Sequence, residues 1–416
     1  MNYVASAPGK VILFGEHAVV YGKTAIAASI DLRTHVYCSP QGNDIVELIC
    51  PDIGYQGTWS LNTLRSMASK FQKNSAHKEL QEIFAGIKCS NPDSLERLSR
   101  LNIDLDLVQA ELSEFLAPGL DNSQKGAALS FLTLMALLFS SDMDMLGRGF
   151  MMAVQSTLPV GAGLGSSASF SVSVGGALLN LLFPEFLSKN PNCLELVNRL
   201  GYLAERVIHG NPSGVDNTVS TYGKFVTYQK GEFSKLHSLS SLRILLTNSK
   251  VPRNTKQMVA GVREFRNQFP RVVDPILDSI HNISHTLLEL LSQSNDQSNH
   301  PLPAIHDLVV VNHQLLCCLK VSHPSLETIV ATCKQDFGLA AKLTGAGGGG
   351  CALALLPKEF DEKPLCAKLT SQGFDVFPTT LGGEGFQIHP QTSDQIKAAF
   401  KAALNNVSFK VGRSAI

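Results

Sequence analysis

Apolar and polar positions follow several different rhythms along this chain, and each change of rhythm marks a new element. Over the first sixty residues the pattern is that of strands: 11–14 is a short apolar run, 32–38 alternates, and 45–50 is a third strand candidate. From about 61 to 125 the sequence turns polar and charged, punctuated by Asn91-Pro92-Asp93 and Pro118-Gly119, which predicts a partly exposed, largely helical excursion. Residues 126–139 then predict a buried helix and 149–155 a buried strand. That strand runs into a glycine loop at 159–167, and the small-residue segment 168–183 predicts the helix after it.

A second helix, 193–209, places Leu196, Leu200, Leu203 and Val207 on one face. Strands are predicted at 225–228 and 243–247. Helical spacing follows at 256–269, through Met258, Val262, Phe265 and Phe269, and at 274–291, through Ile276, Ile280, Ile283 and Leu287. A polar run at 292–300 precedes a further helix at 302–320. The remainder alternates strand (351–356), helix (361–372) and strand pieces (374–378, 386–388), an α+β arrangement. A boundary near 230–240 divides the chain into units of 1–235 and 236–395. The last residues, with 396–416 outside the second unit, read as an amphipathic or frayed helical tail.

Composition narrows the class of protein. With 416 residues the chain is long enough for two cores, and 44% apolar against 17% charged residues is a globular composition. Lys+Arg and Asp+Glu both number 35, so no net charge draws it to nucleic acid or to an anionic membrane, and any anion site must be local. The nine cysteines show no CxxC pair and no zinc spacing, which fits buried thiols in a reducing compartment. The two most apolar stretches, 126–139 and 170–183, fall short of the ~20 residues that span a bilayer. With Lys10 and Glu16-His17 ahead of any long apolar run, the expectation is a soluble, cytosolic protein.

The candidate chemistry lies in four segments. Gly161-Ala162-Gly163-Leu164-Gly165-Ser166-Ser167 joins a strand to a helix, where glycines let backbone N–H groups approach a polyphosphate. Ser166 and Ser167 could cap that helix or ligate Mg²⁺. The loop lacks the Gly-Lys-Ser/Thr ending of a Walker A motif and the spacing of a dinucleotide fingerprint. Glu205 lies one position off the apolar stripe of its helix, as a solvated glutamate or as part of a magnesium shell. Asp216 follows the chain-reversing 210–214 segment, either as a turn residue or as the base or orienting group for a substrate hydroxyl. Lys10 would pair with it and stabilise charge on a transferred phosphoryl group, a reaction governed by positioning and electrostatics. The five glycines within 345–350 imply close backbone approach to a ligand or to another loop.

Assembled, these segments resemble the GHMP kinases. The matching stretches are APGKVILFGEHAVVYG at 7–22, LPVGAGLGSSA at 158–168, ERVIHGNPSGVDN at 205–217, LLTNSKVPRNT at 245–255 and KLTGAGGGGC at 342–351, in the family order. The first motif and VPRNT are most similar to members that act on mevalonate. The resemblance implies an α+β, two-domain GHMP kinase fold, N-terminal ribosomal protein S5 domain 2-like and C-terminal ferredoxin-like, with the active site between the domains. It implies ATP as co-substrate with Mg²⁺, Lys10 and Asp216 as the catalytic pair, and Ser167 and Glu205 as magnesium ligands. Residues 161–167 become the nucleotide phosphate loop, and Asp52 and Ser156 face the nucleotide, although many members carry Asn at the position of Asp52. Glu16, His17 and Arg253 would line the substrate end, where an acid such as mevalonate needs a basic residue. The family often forms homodimers through helical faces. The 61–125 excursion carries no motif to transfer and is read as scaffold or lid. A catalytically silent relative would be expected to lose Lys10, Asp216 or a loop serine, and all of these are present.

Overall fold

The computed structural model describes residues 3–71, 105–139, 147–159, 161–184, 192–210, 212–236, 241–293, 302–389 and 410–413, with a few isolated positions between them. Its strands are β1 (Tyr3–Phe14), β2 (Ala25–Pro40), β3 (Ile45–Cys50), β4 (Tyr55–Ser60), β5 (Phe150–Ser156), β6 (Phe225–Gln229), β7 (Glu232–Leu236), β8 (Leu242–Asn248), β9 (Ala341–Leu343), β10 (Cys351–Leu355), β11 (Asp375–Leu381), β12 (Gln387–His389) and β13 (Lys410–Arg413). They form one hydrogen-bonded network organised around β2. This strand pairs antiparallel with β1, with β5 through its C-terminal half, and with β6 through its N-terminal half. A single antiparallel pairing, Leu381 to Ile30, carries the network from β2 into the β11–β8–β10–β9 sheet.

The first half of the chain supplies α1 (Leu61–Phe71), α2 (Leu105–Ser113), α3 (Asn122–Phe139), α4 (Ser166–Leu182), α5 (Cys193–His209) and α6 (Val215–Tyr222). Helices α3 and α4 are apolar on nearly every side because they lie inside, between the sheet and α5; Phe131, Leu134, Val172 and Leu178 are fully buried. Among the described residues no helix is long and apolar enough to cross a membrane. The described parts of the excursion pack on this same core through Leu64, Met67 and Leu112. The second half supplies α7 (Thr255–Gln268), α8 (Pro270–Gln293), α9 (Leu302–Cys318), α10 (Pro324–Phe337) and α11 (Lys363–Ser371), which cover the β8–β11 sheet.

Three expectations are corrected. The tail is not helical where it is described: β13 adds parallel to β4, Lys410 opposite Tyr55, and shields what would otherwise be an open strand edge. Residues 391–409 lie outside the described residues. The stripe expected on 256–269 ends early, since Val262 is buried while Phe269 is 45% exposed beyond the end of α7. The 210–217 segment is more than a turn, because Asp216 belongs to the first turn of α6.

Candidate active site

The site begins with a close approach of two backbones. A Cβ on Gly9 would lie 2.6 Å from the Leu164 carbonyl oxygen and 2.4 Å from the Leu158 side chain, so glycine allows the loop to run against β1. The Lys10 N–H donates to Leu164 O at 2.8 Å, just where the β1–β2 register slips between Pro8 and Lys10. Within the loop Gly161, Gly163 and Gly165 are left-handed (φ 73°, 78° and 72°), while Ala162 and Leu164 keep negative φ and point inward. Such alternation turns successive N–H groups to one side and makes an anion-binding concavity, with the N-terminus of α4 directly behind it.

Lys10 and Asp216 meet at the edge of this concavity. Nζ lies 3.0 Å from Oδ1; the lysine side chain is 8% exposed and the aspartate 40%. The loop therefore covers the ammonium group while the carboxylate opens to the cleft. Gly214, left-handed at φ 80°, ends the preceding turn and starts α6, whose N-terminal dipole favours the negative charge of Asp216.

Glu205 is positioned by helix packing. Gly201 of α5 abuts Val172 of α4 so closely that a Cβ would fall 2.7 Å from Val172 Cγ2. One turn later, Glu205 faces the start of α4. Its Oε1 accepts hydrogen bonds from Ser167 Oγ at 2.5 Å and Ser171 Oγ at 3.2 Å. His209 Nε2 stands 3.8 Å from Oε2 and 3.3 Å from Ser167 Oγ. Glu205 is buried, not solvated, and burial pushes its carboxyl up to about 7. The negative charge of Asp216 adds to the rise, and the two serine hydrogen bonds oppose it. A buried carboxylate beside a second carboxylate, with serine oxygens on hand, is an oxygen-donor set short of positive charge. That chemistry fits a hard divalent cation.

On the far side of the loop a cavity of about 610 Å³ opens between β5, α3 and α4. Asp52, Ser156, Gly161, Ser166 and Ser167 all line it. Asp52 Oδ2 accepts the Ser156 N–H at 2.6 Å, and burial raises the Asp52 carboxyl although this hydrogen bond opposes the shift. Ser156 Oγ in turn bonds Thr34 Oγ1 at 3.0 Å.

The three residues expected at the substrate end are placed differently from one another. Arg253 is wedged between the two glycine loops: a Cβ on Gly163 would fall 1.6 Å from its Nη2, and one on Gly345 would fall 2.5 Å from Nη1. Burial lowers its guanidinium pKa, with Cys351 and Asp216 opposing that shift. His17, with a positive φ of 61°, hydrogen-bonds Ala346 O through Nε2 at 2.9 Å, and burial lowers its pKa. Glu16 has no exposed side-chain surface; its oxygens go to Lys342 Nζ and to Asn312 Nδ2. It supports the site from beneath. Sequence reasoning missed Lys342, Asn312 and Ser171; Lys342 stood within a recognised motif, but nothing in its spacing foretold a buried partner.

Residues 128–224 match the family model of the GHMP kinases N terminal domain, and residues 286–375 match that of the GHMP kinases C terminal. The mevalonate kinase of Homo sapiens is 38% identical over 407 residues, which span 94% of this chain and 96% of that protein. The chain belongs to the GHMP kinase family. The mevalonate kinase of Arabidopsis thaliana is 35% identical over 93% of this chain and 100% of its own length. Among solved structures, the Methanococcus jannaschii mevalonate kinase superposes with a TM-score of 0.66 at 24% identity, covering 91% of this chain and 98% of that one. The L. major mevalonate kinase in complex with R-mevalonate gives a TM-score of 0.62 at 23% identity, over 91% of this chain and 96% of that one. The GHMP kinase fold, α+β with an N-terminal and a C-terminal domain, is thus common to all of them.

Proposed function

We propose that this GHMP kinase transfers the γ-phosphoryl group of ATP to the 5-hydroxyl of mevalonate, giving 5-phosphomevalonate for isoprenoid and sterol synthesis. The observation that carries the reading is the Lys10–Asp216 pair, 3.0 Å apart at the rim of the 161–165 loop. The substrate is supported by the identity to curated mevalonate kinases over nearly the whole chain.

In this reading the N–H groups of Gly161, Ala162, Gly163, Leu164 and Gly165 and the start of α4 cradle the polyphosphate, and the cavity at Asp52 and Ser156 takes the nucleoside. Lys10 donates to the phosphoryl oxygens, where charge shifts during transfer. Asp216 accepts the hydrogen bond of the acceptor hydroxyl and orients its oxygen in line. Its proximity to Lys10 means that one lysine serves both partners. Ser167 and Glu205 hold Mg²⁺, which when bound neutralises phosphate charge. His17 and Arg253 face the acceptor, and the guanidinium is the cation an acid substrate requires. Glu16 holds His17 in place without touching substrate. The reading divides the chain near residue 235 into the two family domains and puts the enzyme in the cytosol, as a homodimer.

The test is ADP release by purified protein supplied with Mg-ATP and mevalonate, phosphomevalonate, homoserine or galactose in turn. Turnover with mevalonate is expected. Turnover with another alcohol alone would overturn the substrate, and ATP binding without turnover on any of the four would overturn the enzyme.

A further inference from the structure

Beneath the substrate end lies a polar cluster that phosphoryl transfer does not itself use. Lys342 is a fully buried lysine, and its Nζ is paired with Glu16 Oε1, which is equally buried. Asn312 of α9 donates from Nδ2 to the other Glu16 oxygen at 3.1 Å, while its own buried Oδ1 has no hydrogen-bond partner among the described residues. The next residue on α9, His313, grips the next residue of β9: the Leu343 N–H donates to His313 Nδ1 at 3.4 Å. This leaves the imidazole proton on Nε2, facing Glu327 Oε1 at 3.2 Å. Cys317 Sγ at 3.4 Å and Ser322 Oγ also donate to that carboxylate oxygen, which is thereby held against His313.

Both ends of the Glu16–Lys342 pair lead straight into the active site. Glu16 precedes His17 in a turn tightened by Gly15, where a Cβ would lie 2.4 Å from Ala25 Cα. Lys342 sits in β9 just ahead of the 345–350 loop. The two segments are further joined by His17 to Ala346 O and by Thr344 Oγ1, which donates to Ile12 O at 2.8 Å. Ile12 stands two residues beyond Lys10 on the same strand. The loop is wedged on its other side, for a Cβ on Gly347 would fall 1.9 Å from Val321 O.

Burial opposes charge on both members, raising the Glu16 carboxyl and lowering the Lys342 ammonium; their mutual attraction offsets this for both, helped at Glu16 by hydrogen bonds from its own backbone and from Asn312. Such a pair is a poor means of stabilising a core, since two apolar side chains of similar volume often do as well or better. What it provides is a fixed distance between two segments.

We propose that Lys342 is a positioning residue for phosphoryl transfer, fixing through Glu16 the His17 turn against the 345–350 loop and so the acceptor pocket beside Asp216. The inference rests on the kinase reading above.

The experiment compares the wild-type protein with the double variant Glu16→Gln/Lys342→Met, which removes both charges together and leaves neither unpaired. It reads thermal stability, KM for ATP, KM for mevalonate and kcat. The expected result is a Tm near that of wild type, a KM for ATP within about twofold, and a kcat/KM for mevalonate lower by about 100-fold, the scale of a small misplacement of reacting groups. A double variant that is as active as it is stable would overturn the inference, as would equal losses toward ATP and mevalonate. Should the double variant not fold, Asn312→Leu decides: it frees one Glu16 oxygen without leaving a charge alone, and an unchanged mevalonate KM and kcat there would overturn the proposal. A wild-type protein without turnover on mevalonate would fail the kinase reading and not this one.

Discussion

The Nζ of Lys10 and Oδ1 of Asp216 stand 3.0 Å apart, an ion pair between β1 and α6, two elements that pack directly on each other. The 161–165 loop lies against both residues. Gly165 presents a bare left-handed backbone to both, and a Cβ there would lie 3.1 Å from Lys10 Cγ and 3.7 Å from Asp216 Oδ2. A side chain at position 165 would therefore press on both members of the charged pair.

Asp216→Asn keeps the size and the α6 N-terminal position but removes the carboxylate proposed to accept the hydrogen bond of the acceptor hydroxyl and orient it. Its kcat is expected to fall about 10³-fold, within the range of a lost general base, while the KM for ATP stays near wild type. Steady-state kinetics checks this, and near-normal turnover would remove Asp216 from the mechanism.

The phosphate loop offers an internal comparison. A methyl group on Gly161 would meet nothing within 4 Å, whereas one on Gly163 would fall on the Arg253 guanidinium. Both are left-handed, so Gly161→Ala and Gly163→Ala should share a strain of about 1–2 kcal/mol. Only Gly163→Ala should also displace Arg253 and abolish activity. Equal losses in the two variants, read by melting and turnover, would mean that the guanidinium does not need its seat.

Most of this architecture was legible in the residues, and the failures have physical causes. The limits of α5 follow from apolar spacing because it presents one buried face, and those of β3 at Ile45–Cys50 from a short apolar run whose end, Leu48–Cys50, is buried on both sides. β4 was missed: its inward positions Tyr55, Gly57 and Trp59 do alternate, but the middle one is a glycine that makes room for the two aromatic rings. α10 was missed although Pro324 at its start and Gly338 at its end are ordinary helix signals. The glycine loops and Lys10, Glu205 and Asp216 stood out as candidates because each lies inside a recognisable motif. Glu16 could not, since its environment is made by Lys342 and Asn312, more than 290 residues away.

At Glu205 the stability of the metal-free protein and the proposed magnesium role oppose each other. Its carboxyl is raised from 4.5 to about 7, so the folded metal-free protein holds this proton more tightly than the unfolded chain. The resulting stability is fully present below pH 4.5 and is lost as pH rises through 7; the loss is at most about 3 kcal/mol. Glu205→Gln carries no titrating proton. Melting in EDTA should show the variant gaining on wild type between pH 5 and pH 8, while its activity needs more Mg²⁺ at every pH. A pH-independent difference in Tm would remove the buried-charge account, and an unchanged magnesium titration would remove Glu205 from the metal shell.

Arg253 has five N–H donors and, among the described residues, no hydrogen bond or ion pair for any of them, although it is packed between the backbones of Gly163 and Gly345. A partly desolvated guanidinium without an acceptor in the protein is costly unless a ligand or solvent supplies one. The carboxylate of an acidic acceptor would do so through a two-point fork, which lysine cannot reproduce. Arg253→Lys is therefore expected to raise the KM for mevalonate by about 10- to 100-fold, the equivalent of about 1.5–3 kcal/mol for a charged hydrogen bond, and to change the KM for ATP much less. If the KM for ATP rises instead and that for mevalonate does not, the fork belongs to the phosphate chain, and the acid is recognised elsewhere in the cleft.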